Sequence, residues 1–257
     1  MMKIYPVIGV RIVGRSLILQ MIDTVNVQEI KDKLYANLEP SGWARKLRGF
    51  IYSGEFDSII LKLIKETQID KRFTPKLKDV FKAFEECPYE ELKVVMVGQD
   101  PYPQLNIADG IAFSCGKTMK EEPILKYIFG AIEDTVYQGE DHSWDPDLKR
   151  WSNQGILMLN IALTVEINKI GSHYLIWKPF ITYLFDVLNS DNKGLVYIYM
   201  GKKAQEWMED VNDNNYKLIC SHPASAAYTG SKKWNCDDVF NKTSKIIKEN
   251  YNFDINW

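Results

Sequence analysis

Four short apolar runs in this chain each end in residues that can do chemistry. Val94-Val95-Met96-Val97 leads into Gly98-Gln99-Asp100-Pro101-Tyr102-Pro103, and Ile156-Leu157-Met158-Leu159 leads into Asn160. Leu195-Val196-Tyr197-Ile198-Tyr199-Met200 leads into Gly201-Lys202-Lys203, and Leu218-Ile219-Cys220 into Ser221-His222-Pro223. A carboxylate can stabilise a cation or orient a water. A carboxamide offers a donor and an acceptor in one plane, which matches the edge of a nucleobase. An imidazole can donate to an oxyanion as it develops. Phe113, in Gly110-Ile111-Ala112-Phe113-Ser114, can stack on a flat ligand or simply fill the core. Taken singly, each residue has an ordinary explanation: a loop Asp forms turns, an Asn caps, a His sits on a surface. Their meaning depends on whether the fold brings them together.

The elements that would do so are legible. The hexapeptide at 98–103 cannot prolong a strand, because each proline lacks a backbone donor and fixes φ. None of the four runs alternates strictly, so each is predicted to be buried on both faces, as in a parallel sheet covered by helices. Between them lie helical stripes: Phe56, Ile59, Ile60, Leu63 and Ile64; Ile124, Leu125, Ile128, Ile132 and Val136; Trp177, Phe180, Ile181, Leu184 and Leu188; and Val239, Phe240, Thr243, Ile246 and Ile247. Thr74-Pro75 reads as the N-cap and first residue of a further helix through Leu77, Val80, Phe81 and Phe84. Strands alternating with helices predict an α/β fold, a three-layer sandwich with a central four-stranded parallel sheet flanked by helices. In such a sheet all four carboxyl ends share one edge, so acid, carboxamide, lysines and imidazole converge.

Composition narrows the function. The chain has 257 residues, 46% hydrophobic and 26% charged, with a net charge of -2, which excludes a globally basic nucleic-acid binder but leaves room for a local positive groove. Its 12% aromatic content suits cores and stacking alike. The cysteines Cys87, Cys115, Cys220 and Cys236 form no C-x-x-C, so neither a zinc ribbon nor a redox pair is signalled, and reduced thiols in an intracellular protein, cytoplasmic or nuclear, are expected. No Gly-rich phosphate loop is present, which disfavours nucleoside triphosphate chemistry. Residues 4–22 are apolar but carry Arg11 and Arg15, too charged for a membrane span. Residues 1–25 are expected to be a loosely packed extension, a mildly basic leader, or sequence upstream of a true start at Met21. Residues 26–257 are expected to form a single domain, with no membrane association.

In order and spacing these motifs resemble the family 1 uracil-DNA glycosylases. The matching pieces are Gly98-Gln99-Asp100-Pro101-Tyr102, Gly110 to Ser114, Leu157-Met158-Leu159-Asn160 with Leu163-Thr164-Val165, Gly171-Ser172-His173, Gly201, and His222-Pro223. The resemblance implies hydrolysis of the N-glycosidic bond of deoxyuridine in DNA, through an oxocarbenium-like state, as a step of base-excision repair. It implies that Asp100 positions water or stabilises the sugar cation and that His222, as a neutral imidazole, donates to uracil O2. Gln99 would contribute nearby backbone amides, and Tyr102 would exclude the thymine methyl by a clash. Phe113 would stack on uracil, and Asn160 would read O4 and N3–H, a pattern that cytosine reverses at the cost of unpaired buried groups. No metal or cofactor is implied. The expected partner is uracil-containing DNA, single- or double-stranded, acted on by a monomer, with a DNA-mimicking protein as a conceivable inhibitor.

The departures from the family lie in the loops that handle DNA. Pro103 stands where the family has His, Ile124 where a serine is expected, and Lys202 where another serine follows the glycine. After His222-Pro223 the run Ala224-Ser225-Ala226-Ala227-Tyr228-Thr229-Gly230 lacks the family's wedge leucine. Lys202 and Lys203 are expected to replace lost serine contacts with charge, beside Ser225. Tyr228 is either the wedge or a structural tyrosine of the loop; without a wedge, single-stranded substrate would be preferred. Two other readings compete with the repair enzyme. One is a non-enzymatic DNA-binding or replication-complex subunit that keeps the fold. The other is a nucleoside hydrolase, which would leave the ordered motifs unexplained.

Overall fold

The computed structural model describes residues 26–257 apart from Asp70, Asp141 and Lys232; the expectations for residues 1–25 lie outside the described residues. The chain begins with three helices, α1 (Val27–Leu38), α2 (Trp43–Ile51) and α3 (Gly54–Gln68). Asn26 and Ser53 cap α1 and α3, their side chains accepting from the Glu29 and Phe56 N–H groups. The short strand β1 (Phe73–Thr74) and helix α4 (Lys82–Glu86) precede β2 (Val94–Gly98). Then follow α5 (Pro123–Thr135), α6 (Lys149–Ser152), β3 (Ile156–Asn160), β4 (Val165–Glu166) and α7 (Tyr174–Asp191). The chain closes with β5 (Val196–Met200), α8 (Lys202–Gln205), β6 (Tyr216–Cys220), α9 (Ala224–Ala227) and α10 (Val239–Tyr251). No helix among the described residues is long and apolar enough to cross a membrane.

The central sheet is four-stranded and wholly parallel, in the order β3-β2-β5-β6. β2, β3 and β5 are buried along their whole lengths. In β5 the rings of Tyr197 and Tyr199 lie on one face, 6.0 Å apart, and Tyr197 meets Phe185 of α7. By strand alternation, Val196, Ile198 and Met200 face the other layer, where α10 and α5 lie. There Trp257 is fully buried between Trp151 and Phe240. The chain leaves β2 toward β3 on one side and later returns to β5 on the other, so the topological switch falls at the carboxyl end of β2.

Two expectations need correction. β6 is an edge strand, and Tyr216 and Ile219 are exposed, so it is not buried on both faces. Thr74-Pro75 does not start a helix: Thr74 pairs with Val165 in a small antiparallel ladder, which holds its backbone extended. The stripe that follows is split between a 3-10 turn, Leu77–Asp79, and α4. By contrast, Pro179 lies inside α7 without breaking it. Both Leu175, whose carbonyl loses a partner, and Pro179 are on the solvent side, where water can satisfy that carbonyl.

Candidate active site

The register of the sheet builds the floor of the site. Gly98 and Asn160 form the last facing pair of the β2–β3 ladder. A Cβ on Gly98 would lie 2.7 Å from Asn160 Oδ1 and 2.8 Å from Phe113 Cζ. Glycine at this point lets the carboxamide and the aromatic ring close over the end of the strand.

Asp100 stands two residues beyond. Its Oδ2 accepts from the Gly171 N–H at 2.8 Å and from Gln99 Nε2 at 2.9 Å. Its Oδ1 is buried and accepts no hydrogen bond among the described residues. Burial raises the carboxyl pKa above its ordinary value, and the bonds from Gly171 and Gln99 pull it part of the way back. The site therefore holds a carboxylate with one oxygen anchored and the other free.

His222 has a defined tautomer. Its Nδ1 accepts from the Ala224 N–H at 3.1 Å, so the proton of the neutral ring is on Nε2. Burial pushes its pKa below the ordinary imidazole value. Protonating Nδ1 would also set two donors against each other. We expect nitrogen NMR of labelled histidine to show His222 as the neutral Nε2–H form at pH 7 and to place its titration below that of a free imidazole. The unfolded chain would take up this proton at the ordinary value, so His222 should cost stability as pH falls below that value. An imidazole titrating normally or upward would contradict this geometry. Gly201, φ +90, makes room behind the ring, since a Cβ there would lie 2.8 Å from His222 Cβ.

Phe113 is 8% exposed and has φ +65, a conformation that bulky residues adopt only when their surroundings enforce it. The enforcing group is Asp109, fully buried, which sequence reasoning missed. It accepts from the Ile111 N–H at 3.0 Å, the Ser114 hydroxyl at 2.6 Å and the Gly116 N–H at 2.9 Å. The Tyr102 hydroxyl donates to the Phe113 carbonyl at 3.2 Å, which fixes that phenol beside the ring. The Phe113 and His222 rings are 6.2 Å apart.

These groups surround a cleft of about 450 Å³ lined by Gln99, Asp100, Tyr102, Phe113, His222 and Tyr228 among others. Asn160 lines a small adjoining cavity that shares Tyr102 and Phe113 with the cleft. Lys202, Lys203 and Ser225 are exposed but do not line it. Lys203 bonds Glu206 at 2.8 Å and stands over the Tyr174 ring. Tyr228 is 65% exposed, at the end of α9.

The anchor of Asp100 was also missed by sequence reasoning, because a backbone N–H has no residue signature. The turn that carries it is braced from behind. Trp177 Nε1 donates to Thr164 Oγ1 at 2.7 Å, and that hydroxyl meets His173 Nδ1 at 2.7 Å. His173 Nε2 lies 2.9 Å from Glu66 Oε2, an ion-pair distance off the hydrogen-bond direction.

Known proteins resemble this chain in sequence and in fold. A model of the Uracil DNA glycosylase superfamily matches residues 84–245. The chain is 32% identical over 232 residues to a uracil-DNA glycosylase of Acinetobacter baumannii, covering 90% of this chain and 97% of that protein. It is 32% identical over 205 residues to uracil-DNA glycosylase 1 of Listeria innocua, covering 77% and 89%. Among solved structures, mimivirus uracil-DNA glycosylase superposes with a TM-score of 0.75 at 22% identity, covering 91% of this chain and 89% of that one. A variant of the mimivirus enzyme in complex with UGI gives 0.74 at 22% identity, covering 84% and 87%. With the superfamily match spanning most of the sequence and close to a third of positions identical across nearly the full length of a relative, this chain belongs to the uracil DNA glycosylase superfamily.

Proposed function

We propose that this protein, acting as a monomer, hydrolyses the bond between C1′ and N1 of deoxyuridine in DNA, releasing uracil and leaving an abasic site for repair. The observation that carries the reading is the pairing, across one cleft, of a buried carboxylate with a free oxygen and a neutral imidazole whose only proton is on Nε2. The base leaves the duplex and enters the cleft, at a cost of a few kcal/mol for unstacking and unpairing. Phe113 stacks on its ring and Asn160 bonds O4 and N3–H. Tyr102, held by the Phe113 carbonyl, occupies the space a C5 methyl would need. As the C1′–N1 bond breaks, its electron pair moves onto the base, and the His222 Nε2–H donates to O2 where that charge collects. The sugar becomes cationic beside Asp100. A water oriented by Asp100 adds its oxygen to C1′ and passes its proton to that carboxylate, which returns it to solvent, and the uracil anion takes up a proton from solvent as it leaves.

Outside the cleft, we assign phosphate contacts to Lys202, Lys203 and Ser225. Lys202 is the stronger candidate of the two lysines, since the charge of Lys203 is matched by Glu206. A protein that mimics DNA would compete for the same mouth.

The test is release of free uracil from an oligonucleotide carrying one deoxyuridine, in single- and double-stranded form. Asp100→Asn keeps the shape of the side chain and removes its charge. It should lower kcat by about 10²- to 10⁴-fold, the range for a group that handles the reacting water. No release by the unaltered protein on either strand form would overturn the reading, and full activity in Asp100→Asn would overturn the assignment of Asp100.

A further inference from the structure

The mouth of the cleft carries two large, exposed side chains with apolar surface. Ile170, 70% exposed, and Tyr228, 65% exposed, both line it. An exposed isoleucine in the polar turn Asn168-Lys169-Ile170-Gly171 gains nothing from folding, because its apolar surface stays in water. It is nevertheless held firmly. Lys169 N–H donates to the Glu166 carbonyl at 3.0 Å, Ser172 N–H to the Lys169 carbonyl at 3.2 Å, and Ser172 Oγ accepts from the Glu166 N–H at 2.8 Å. Asn168 N–H donates to the Pro103 carbonyl at 3.0 Å, which ties the turn to the loop carrying Asp100. The next residue, Gly171, is itself the anchor of Asp100 Oδ2. A β-branched side chain is also stiff at χ1.

We propose that Ile170 is the wedge of this enzyme: the side chain that enters the duplex and fills the space of the extruded uracil, while Tyr228 covers the neighbouring base from the second loop of the rim. The proposal rests on the glycosylase reading above. A wedge has to be apolar, exposed before DNA arrives, at the mouth of the base pocket, and rigid relative to the reacting carbon. Ile170 meets all four conditions. Tyr228 meets the first three, but it stands at the end of a four-residue helix with no comparable tie to Asp100. Because the Ile170 turn and Asp100 share a hydrogen bond, insertion of the wedge and placement of the catalytic carboxylate become one event.

The experiment compares uracil release from a single strand, a U·A duplex and a U·G duplex. Ile170→Ala should lower the U·A rate relative to the single-strand rate by roughly ten- to a hundredfold, the equivalent of losing the burial of one aliphatic side chain. The loss should be smaller with U·G, where the base is easier to extrude. Ile170→Leu should restore most of the ratio. Equal losses on single strand and duplex with Ile170→Ala, or a ratio lowered by Tyr228→Ala and left unchanged by Ile170→Ala, would overturn the assignment. A second readout does not need catalysis. In the Asp100→Asn background, 2-aminopurine beside the uracil should brighten on binding when Ile170 is present and not when it is alanine. Brightening in both would overturn the wedge even if no uracil were released, so the two readings fail separately.

Discussion

His222→Leu is expected to lower kcat for uracil release by about 10²- to 10³-fold, the cost of removing one donor aimed at a developing oxyanion. KM should change little, because the hydrogen bond matters only once charge has moved onto the base. Leucine fills similar space, and Gly201 leaves the site open to it, so the fold should persist. Single-turnover kinetics would separate chemistry from product release. The acid limb of the pH–rate profile should also simplify, since protonation of His222 would no longer contribute to it. A fall of less than tenfold would mean that O2 is stabilised by other groups and that His222 is not the principal donor.

Gly98→Ala is expected to lower kcat/KM by roughly a hundredfold, in the range where a misplacement of about 1 Å disables a positioned group. The added methyl would sit 2.7 Å from Asn160 Oδ1 and 2.8 Å from the Phe113 ring, so both groups proposed above to hold the base would have to move. The strand itself should tolerate alanine: Gly98 ends β2 and does not need a left-handed backbone. This makes it a cleaner probe than Gly201, where φ +90 would add backbone strain. The measurement is activity on a single-stranded substrate, with circular dichroism and thermal melting to show that the fold is kept. Activity within a few fold of the unaltered protein would show that the ring and carboxamide can retreat without loss, and that the closeness of the floor is not needed.

Much of the architecture was written locally. Continuous apolar runs such as Val94 to Val97 cannot face water on either side, so they predict a covered parallel sheet, and β2, β3 and β5 are buried throughout. The run at Leu218 misled because strand burial depends on what covers each face: β3 is the other edge strand and is buried throughout, whereas Tyr216 and Ile219 of β6 are exposed. The Thr74-Pro75 signal misled because a cap motif is a local preference, and the pairing of Thr74 with Val165, far along the chain, overrode it.

The same division holds for the site. Sequence alone determined which chemical groups are available: Asp100, Asn160 and His222 are identifiable by type and by their place after apolar runs, and Tyr102 and Phe113 by resemblance to the family. Set beside the family it resembles, it also showed that the wedge leucine is missing and that Ile124 and Lys202 stand at two serine positions. Only the tertiary structure decided how those groups are held. The tautomer of His222 follows from the Ala224 amide, the anchoring of Asp100 from the Gly171 amide, and the pose of Phe113 from the buried carboxylate of Asp109. Exposure singled out Ile170, which by type alone would have been assigned to the core. The reason is physical: side-chain type carries chemical capacity, but backbone amides are the same at every non-proline position. Which of them faces a functional group is set by the packing of distant segments.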